Sequence, residues 1–199
     1  MVVLKVPLVK QRINSHYCGI FCVYMVLKYK GYNISLEELL KKIKIKKSTV
    51  ARGPTIVKTL KEMGIKAEMI IYAPYIFKSL EMDEIRKIGE KFKRDFVGIY
   101  AKKLMEIMKL VKIRRITTFL IKNFLREGIP VITSVNSSIL RNKKYGKLML
   151  HYIVIQGFKG DYFIINDPHP KFGGKLKIHR DILLASIYSR KIPELVIIK

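Results

Sequence analysis

A cysteine becomes a useful nucleophile when its thiolate is favoured, and the first turn of a helix favours it through free N–H groups and the helix dipole. Cys18 stands at such a place. Tyr17 to Lys30 reads as a helix that is apolar nearly all round, with Gly31 as its stop. Gly19 carries no side chain to obstruct a substrate carbonyl, and the Cys18 N–H is available as one oxyanion donor. Gln11, one of two glutamines in the chain, lies seven residues earlier and offers a side-chain amide as the second donor, although alone it would read as an ordinary exposed polar residue. Cys22 follows one helical turn later among apolar neighbours, which raise a thiol pKa rather than lower it, so it reads as core. The chemistry open to this set is acyl transfer through a thioester.

The thiol needs a base, and there are four histidines. His151 heads the apolar strand Tyr152-Ile153-Val154-Ile155, which gives it a rigid support. The following hairpin suits a three-residue turn, Phe158-Lys159-Gly160, with glycine in the left-handed position. Pairing Gly157 with Asp161 and continuing the register sets His151 opposite Asp167 on one face, with Cβ atoms roughly 5 Å apart. A carboxylate there could hold the imidazole in the tautomer that presents its other nitrogen to the thiol. A turn one residue longer or shorter would send the two side chains to opposite faces. Separately, His151 could be a satisfied strand-end histidine and Asp167 a turn residue before Pro168. His16 is the rival base, but a residue so near Cys18 in the chain rarely aims at the same atom. His169 and His179 lack the compact spacing with Asp167 or Asp181 that a metal site requires. Gly173-Gly174 lacks the Lys-Ser/Thr of a phosphate loop. No metal and no organic cofactor is expected.

The elements that must position these residues follow from local signals. Ser35-Leu36-Glu37-Glu38 has capping-box spacing before a second helix, and Gly53-Pro54 opens a third, Thr55 to Met63, closed by Gly64. Ala67 to Tyr72 has strand character. Met82 to Leu110 is helical and basic, broken near Asp95 or Gly98, and reads as an insertion or lid. Thr117 or Thr118 caps a helix to Glu127, ended by Gly128, before a buried strand Pro130 to Val135. Asn136 to Lys147 reads as loop, and strands follow at Leu148 to Gly157 and Tyr162 to Asn166. Past Gly173-Gly174 come a short strand, a helix at Arg180 to Tyr188 and a last strand at Leu195 to Ile198. Helices dominate the first two thirds and strands the last, which predicts an α+β fold: a helical N-terminal half with a buried central helix, packed on a C-terminal antiparallel sheet. The 199 residues suit one domain with a basic helical insertion at about 82–110.

Composition narrows the class. No apolar stretch is long enough to span a bilayer, and the N-terminus has no signal-peptide pattern, so a cytoplasmic protein is expected. Forty Lys+Arg against 15 Asp+Glu give a net charge of +25, which predicts non-specific attraction to polyanions or an anionic membrane surface. The basic residues are scattered rather than gathered into an arm, and the lysine- and isoleucine-rich content resembles that of thermophile proteins, without their abundant glutamate.

These residues resemble the papain-like cysteine peptidases of the bacteriocin-leader, double-glycine-cleaving type and their free-standing relatives. The likeness rests on Gln11, on Cys18-Gly19 with Met25-Val26-Leu27 and Gly31, on His151 to Gly157, and on Asn166-Asp167-Pro168. It covers roughly Pro7 to Gly31 and Gly128 to Gly174, with a weaker match from Pro54 to Ala67. It implies a papain-like fold with Cys18 as nucleophile, His151 as base, Asp167 as its orienter and Gln11 as oxyanion donor, acting on a peptide or protein substrate. Tyr17 stands where that family often has an acidic residue, Leu150 where it commonly has glycine, and segment 82–110 has no counterpart. Leu150 would narrow access to the site. The alternative from another class is a catalytically inactive basic protein on the same scaffold, contacting nucleic acid or an anionic membrane.

Overall fold

A computed structural model of the chain describes residues 1–13, 15–43, 51–77, 81–93, 95–141 and 150–199. Its elements, in chain order, begin with β1 (Val2–Val3), α1 (Cys18–Tyr29), α2 (Leu36–Ile43), α3 (Gly53–Glu62) and β2 (Ala67–Ile71). There follow α4 (Met82–Lys91), α5 (Phe96–Met105), β3 (Val111–Ile113), α6 (Thr118–Arg126), β4 (Val131–Asn136) and α7 (Ser137–Leu140). The chain ends with β5 (Leu150–Lys159), β6 (Tyr162–Asp167), β7 (Gly174–His179), α8 (Arg180–Tyr188) and β8 (Glu194–Ile198). The fold is α+β.

Helix starts follow their caps. Ser35 Oγ accepts from the Glu38 N–H at 3.1 Å, Thr117 Oγ1 from the Leu120 N–H at 3.1 Å, and the Asp95 carboxylate from the Phe96 N–H at 2.6 Å. Asp95 is therefore the break between the two helices of the basic segment. Tyr100 of α5 donates to the buried Glu194 of β8, and Ala101 and Leu104 lie in the core, so α5 packs as an integral part of the protein.

The strands form one sheet in the order β3-β2-β8-β4-β5-β6-β7, with β1 added against the far half of β5. Every pairing is antiparallel except β2 with β3. The expected C-terminal sheet thus takes in strands from the helical half, β2 and the unexpected β1 and β3. One face carries α1, whose Ile20, Val23 and Leu27 pack with Tyr152, Val154 and Val196; the other carries Leu120, Ile121 and Leu125 of α6 and Leu183 and Ile187 of α8. Burial of α1 on nearly all sides explains its unbroken apolar sequence.

Two expectations need correction. The stretch after Asn136 does not open as loop: the Asn136 side chain accepts from the Ser138 N–H at 3.0 Å and starts the short α7, while residues 142–149, with the expected strand start at Leu148, lie outside the described residues. The β5–β6 hairpin has a different register. Lys159 pairs with Tyr162 across a two-residue turn, Gly160-Asp161, with Gly160 at φ +58°, and a bulge between Ile155 and Gly157 then shifts the pairing so that Val154 faces Asn166. Among the described residues no helix is long and apolar enough to cross a membrane.

Candidate active site

Cys18 is the first residue of α1, and Tyr17 before it makes no side-chain cap, so the first N–H groups of a 12-residue helix stay uncapped. Gly19 has a different task from the one expected. A Cβ there would meet the Ala51 carbonyl at 3.0 Å and side-chain atoms of Ile56 and Tyr152 at 3.2 and 3.4 Å, so its smallness lets α1 settle on α3 and the sheet. Tyr152 also donates to Glu194 and accepts from the Gly53 N–H at 3.0 Å, tying the start of α3 to the same region. Burial raises the pKa of Glu194 against the hydrogen bonds from Tyr100 and Tyr152.

His151 and Asp167 meet. Asp167 Oδ1 lies 2.6 Å from His151 Nε2 and also accepts from the His169 N–H at 2.8 Å. The two residues are not directly opposed, since the Val154–Asn166 pairing extended by one sets Asp167 across from Ile153. The turn register alone would have set it across from Val154, on the face away from His151. The bulge at Gln156 supplies the one residue that restores a common face. With Nε2 held by the carboxylate, Nδ1 is left for the thiol, and Cys18 is near enough to raise the His151 pKa. Burial pulls the His151 pKa down, but the bonds to Asp167 and Cys18 and their charges outweigh it and carry it up to about 9. Asp167, although burial works against its charge, is held below the usual carboxylate range by His151, by the His169 N–H and by Arg141.

Gln11 lies at the same cleft. Its backbone N–H donates to the Pro168 carbonyl at 2.8 Å, which ties the N-terminal segment to the Asp-Pro loop, and its Nε2 donates one proton to the Ser15 carbonyl at 3.0 Å. The second Nε2 proton is outside that bond. The segment is also held from below, where Asn166 Nδ2 donates to the Val6 carbonyl at 3.0 Å and Asn166 Oδ1 accepts from Gln156 Nε2 at 2.7 Å. A cleft of about 360 Å³ opens over Cys18 and His151, walled by Gln11, Ile13, Leu150 and Phe172.

The remaining cysteine and histidines have other surroundings. Cys22 is fully buried, and burial, with the charges of Cys18 and Asp167, pushes its thiol well up. His16 is exposed at the cleft rim. His169 Nδ1 accepts from the Phe172 N–H at 3.0 Å inside its own turn, and the side chain of His179 caps α8. Sequence reasoning missed Arg141, whose Nη2 lies 2.6 Å from Asp167 Oδ2. Gly173 closes the loop that carries Asp167: a Cβ there would meet the carbonyls of Asp167 and His169 at 2.3 Å. Gly173→Ala is therefore expected to destabilise the protein by about 1–3 kcal/mol in urea unfolding, and to lower Cys18 reactivity with it.

Family comparison now bears on this geometry. The profile of the Peptidase_C39 like family matches residues 3–188, nearly the whole chain. The chain belongs to that family. Three solved structures of peptidases share its fold. A double glycine motif protease from an AMS/PCAT transporter, solved with the leader peptide, is 20% identical over 99% of this chain and 94% of its own, with a TM-score of 0.55. The peptidase domain of Streptococcus ComA, a bifunctional ABC transporter, is 17% identical over 97% of both chains, with a TM-score of 0.55. A C39-like peptidase from Bacillus anthracis is 15% identical over 100% of this chain and 96% of its own, with a TM-score of 0.60. No curated protein matches. C39 membership and the shared fold point to a cysteine peptidase, in agreement with the expected papain-like architecture.

Proposed function

We propose that the protein is a cysteine peptidase or amide hydrolase in which Cys18 is the nucleophile, His151 the base, Asp167 its orienter and Gln11 an oxyanion donor. The observation that carries this reading is the His151 ring, bonded through Nε2 to the buried Asp167 and lining with Cys18 the same open cleft. His151 takes the Cys18 proton, and the thiolate adds to the carbonyl carbon of a peptide amide. The oxyanion is held by the Cys18 N–H and the second Nε2 proton of Gln11. The imidazolium then protonates the departing amine, and water activated by His151 releases the acyl group from sulfur. One solved relative was captured with its leader peptide, so a peptide carrying a double-glycine motif is the first substrate to try, with Leu150 narrowing access to the thiol. In the same reading the chain is one domain, with residues 82–110 as a basic helical insertion.

A thiol probe tests the proposal without a known substrate. Iodoacetamide near neutral pH is expected to label Cys18 at least tenfold faster than Cys22, and His151→Ala is expected to slow Cys18 labelling about tenfold or more while the buried Cys22 stays unreactive. Equal labelling of the two cysteines, or a Cys18 rate indifferent to His151, would refute it. An inactive polyanion binder would instead show steep salt dependence of DNA or anionic vesicle binding, with Cys18 labelled no faster than in His151→Ala.

A further inference from the structure

We propose that Arg141 is a positioning residue of this site, fixing the Asp167 carboxylate in its charged form so that the other carboxylate oxygen can orient His151. The inference rests on the catalytic reading above. Its ground is the way the donors are divided over Asp167, which is fully buried. Oδ1 takes the His151 ring and the His169 N–H, at 2.6 and 2.8 Å, while Oδ2 takes Arg141 Nη2 at 2.6 Å. A carboxylate out of water stays ionised only when both oxygens are supplied with donors or cations.

Arg141 is built into the fold for that contact. It is the residue that ends α7, where its N–H donates to the Ser137 carbonyl at 3.2 Å. Its side chain is only 13% exposed, so the pair is not the solvated surface kind that contributes little. The guanidinium lies 6.0 Å from the centre of the Phe172 ring, in the wall of the cleft. A rigid planar fork holds one oxygen in one direction, whereas a lysine would act as a point charge.

Among the described residues, the titratable and charged groups around Asp167 are few. They are His151 from β5, Arg141 from the end of α7, Cys18 and Cys22 from α1, and His169 from its own loop. Removing Arg141 takes from Oδ2 both its hydrogen bond and its cation. The carboxylate is then harder to ionise and freer to turn, the imidazolium at His151 loses support, and the thiolate it pairs with forms at higher pH.

The test follows Cys18 alkylation by iodoacetamide, site by site in the full chain, across the acid and neutral range. Arg141→Gln is expected to slow alkylation on the acid side about tenfold, as a displacement of about one pH unit would. Arg141→Lys is expected to restore part of the rate. In an Asp167→Asn background the same Arg141→Gln change is expected to do nothing further, whereas a merely structural role would add its effect there. An unchanged profile in Arg141→Gln overturns the inference. So does a displacement to lower pH, which would mean that Arg141 competes with His151 for the carboxylate. Should Arg141→Gln fail to fold, Arg141→Lys decides: native melting with a partial displacement supports the role, and native melting with no displacement refutes it. Absence of selective, pH-dependent labelling in the unmodified protein would sink the catalytic reading and the role of Arg141 together, while selective labelling with an unaltered Arg141→Gln would sink the role alone.

Discussion

Cys18→Ala is expected to lower kcat/KM on a cleaved peptide by at least about 10⁴-fold, with KM changed little, and His151→Ala to come within about tenfold of the same loss. In the proposed mechanism the nucleophile has no understudy. Cys22 lies one turn along α1, but it is fully buried and its thiol is pushed well up, so it cannot supply a thiolate to the cleft at working pH. His16, exposed at the rim, cannot replace a ring held between a thiol and a buried carboxylate. Because nucleophile and base act as one unit, the double variant Cys18→Ala/His151→Ala should be no worse than the poorer single one. Steady-state kinetics on the three variants check this. Additive losses, or substantial activity in Cys18→Ala, would show that hydrolysis occurs elsewhere.

How much of this was legible in the sequence depends on the range of each signal. Helix boundaries were readable because their causes are local: Ser35, Asp95 and Thr117 cap the N–H groups next to them, and Gly31, Gly64 and Gly128 take positive φ where helices stop. The approach of His151 to Asp167 was foreseen on a register that two departures alter in compensating ways. The turn at Gly160-Asp161 shifts the pairing by one parity and the bulge at Gln156 shifts it back. Glycine inside a strand is a recognised sign of a bulge, so Gly157 did carry a usable signal. The short strands β1 and β3 exist through their neighbours in the sheet, and the single turn of α7 is capped by Asn136; none is long enough to leave a period to detect. Gly19 was read from the substrate side, whereas its constraint comes from Ala51, 32 positions away and packed against it in space. Arg141 was invisible for a different reason. Its partner lies 26 residues on, and in a chain with 40 lysines and arginines nothing local marks a cation that is turned inward.

Asp167 sets the upper pH limit of the site, and its replacement separates charge from geometry. In the proposed mechanism the productive pair is a Cys18 thiolate with a protonated His151, and with the His151 pKa carried up to about 9 the imidazolium persists well above neutrality. Activity is therefore expected to fall as pH rises through about 9, when the ring loses its proton. The same displacement bears on stability. A histidine whose pKa is higher folded than its ordinary 6.5 contributes most below that value and loses the contribution as pH rises through about 9. Asp167, held low in the fold, contributes above the ordinary carboxylate range and loses it as pH falls through its own lower value. Asp167→Asn keeps an acceptor for Nε2 but removes the charge, so kcat should drop about tenfold and the alkaline limit should move down by about one to two pH units. Asp167→Ala removes the acceptor as well and leaves Arg141 buried beside a void, so kcat should drop about 10²- to 10³-fold with a clear loss of stability. The pH dependence of kcat/KM in the two variants distinguishes these effects. If Asp167→Asn retained the limit near 9, the His151 proton would be held by the Cys18 thiolate alone, and the carboxylate would serve only to aim the ring.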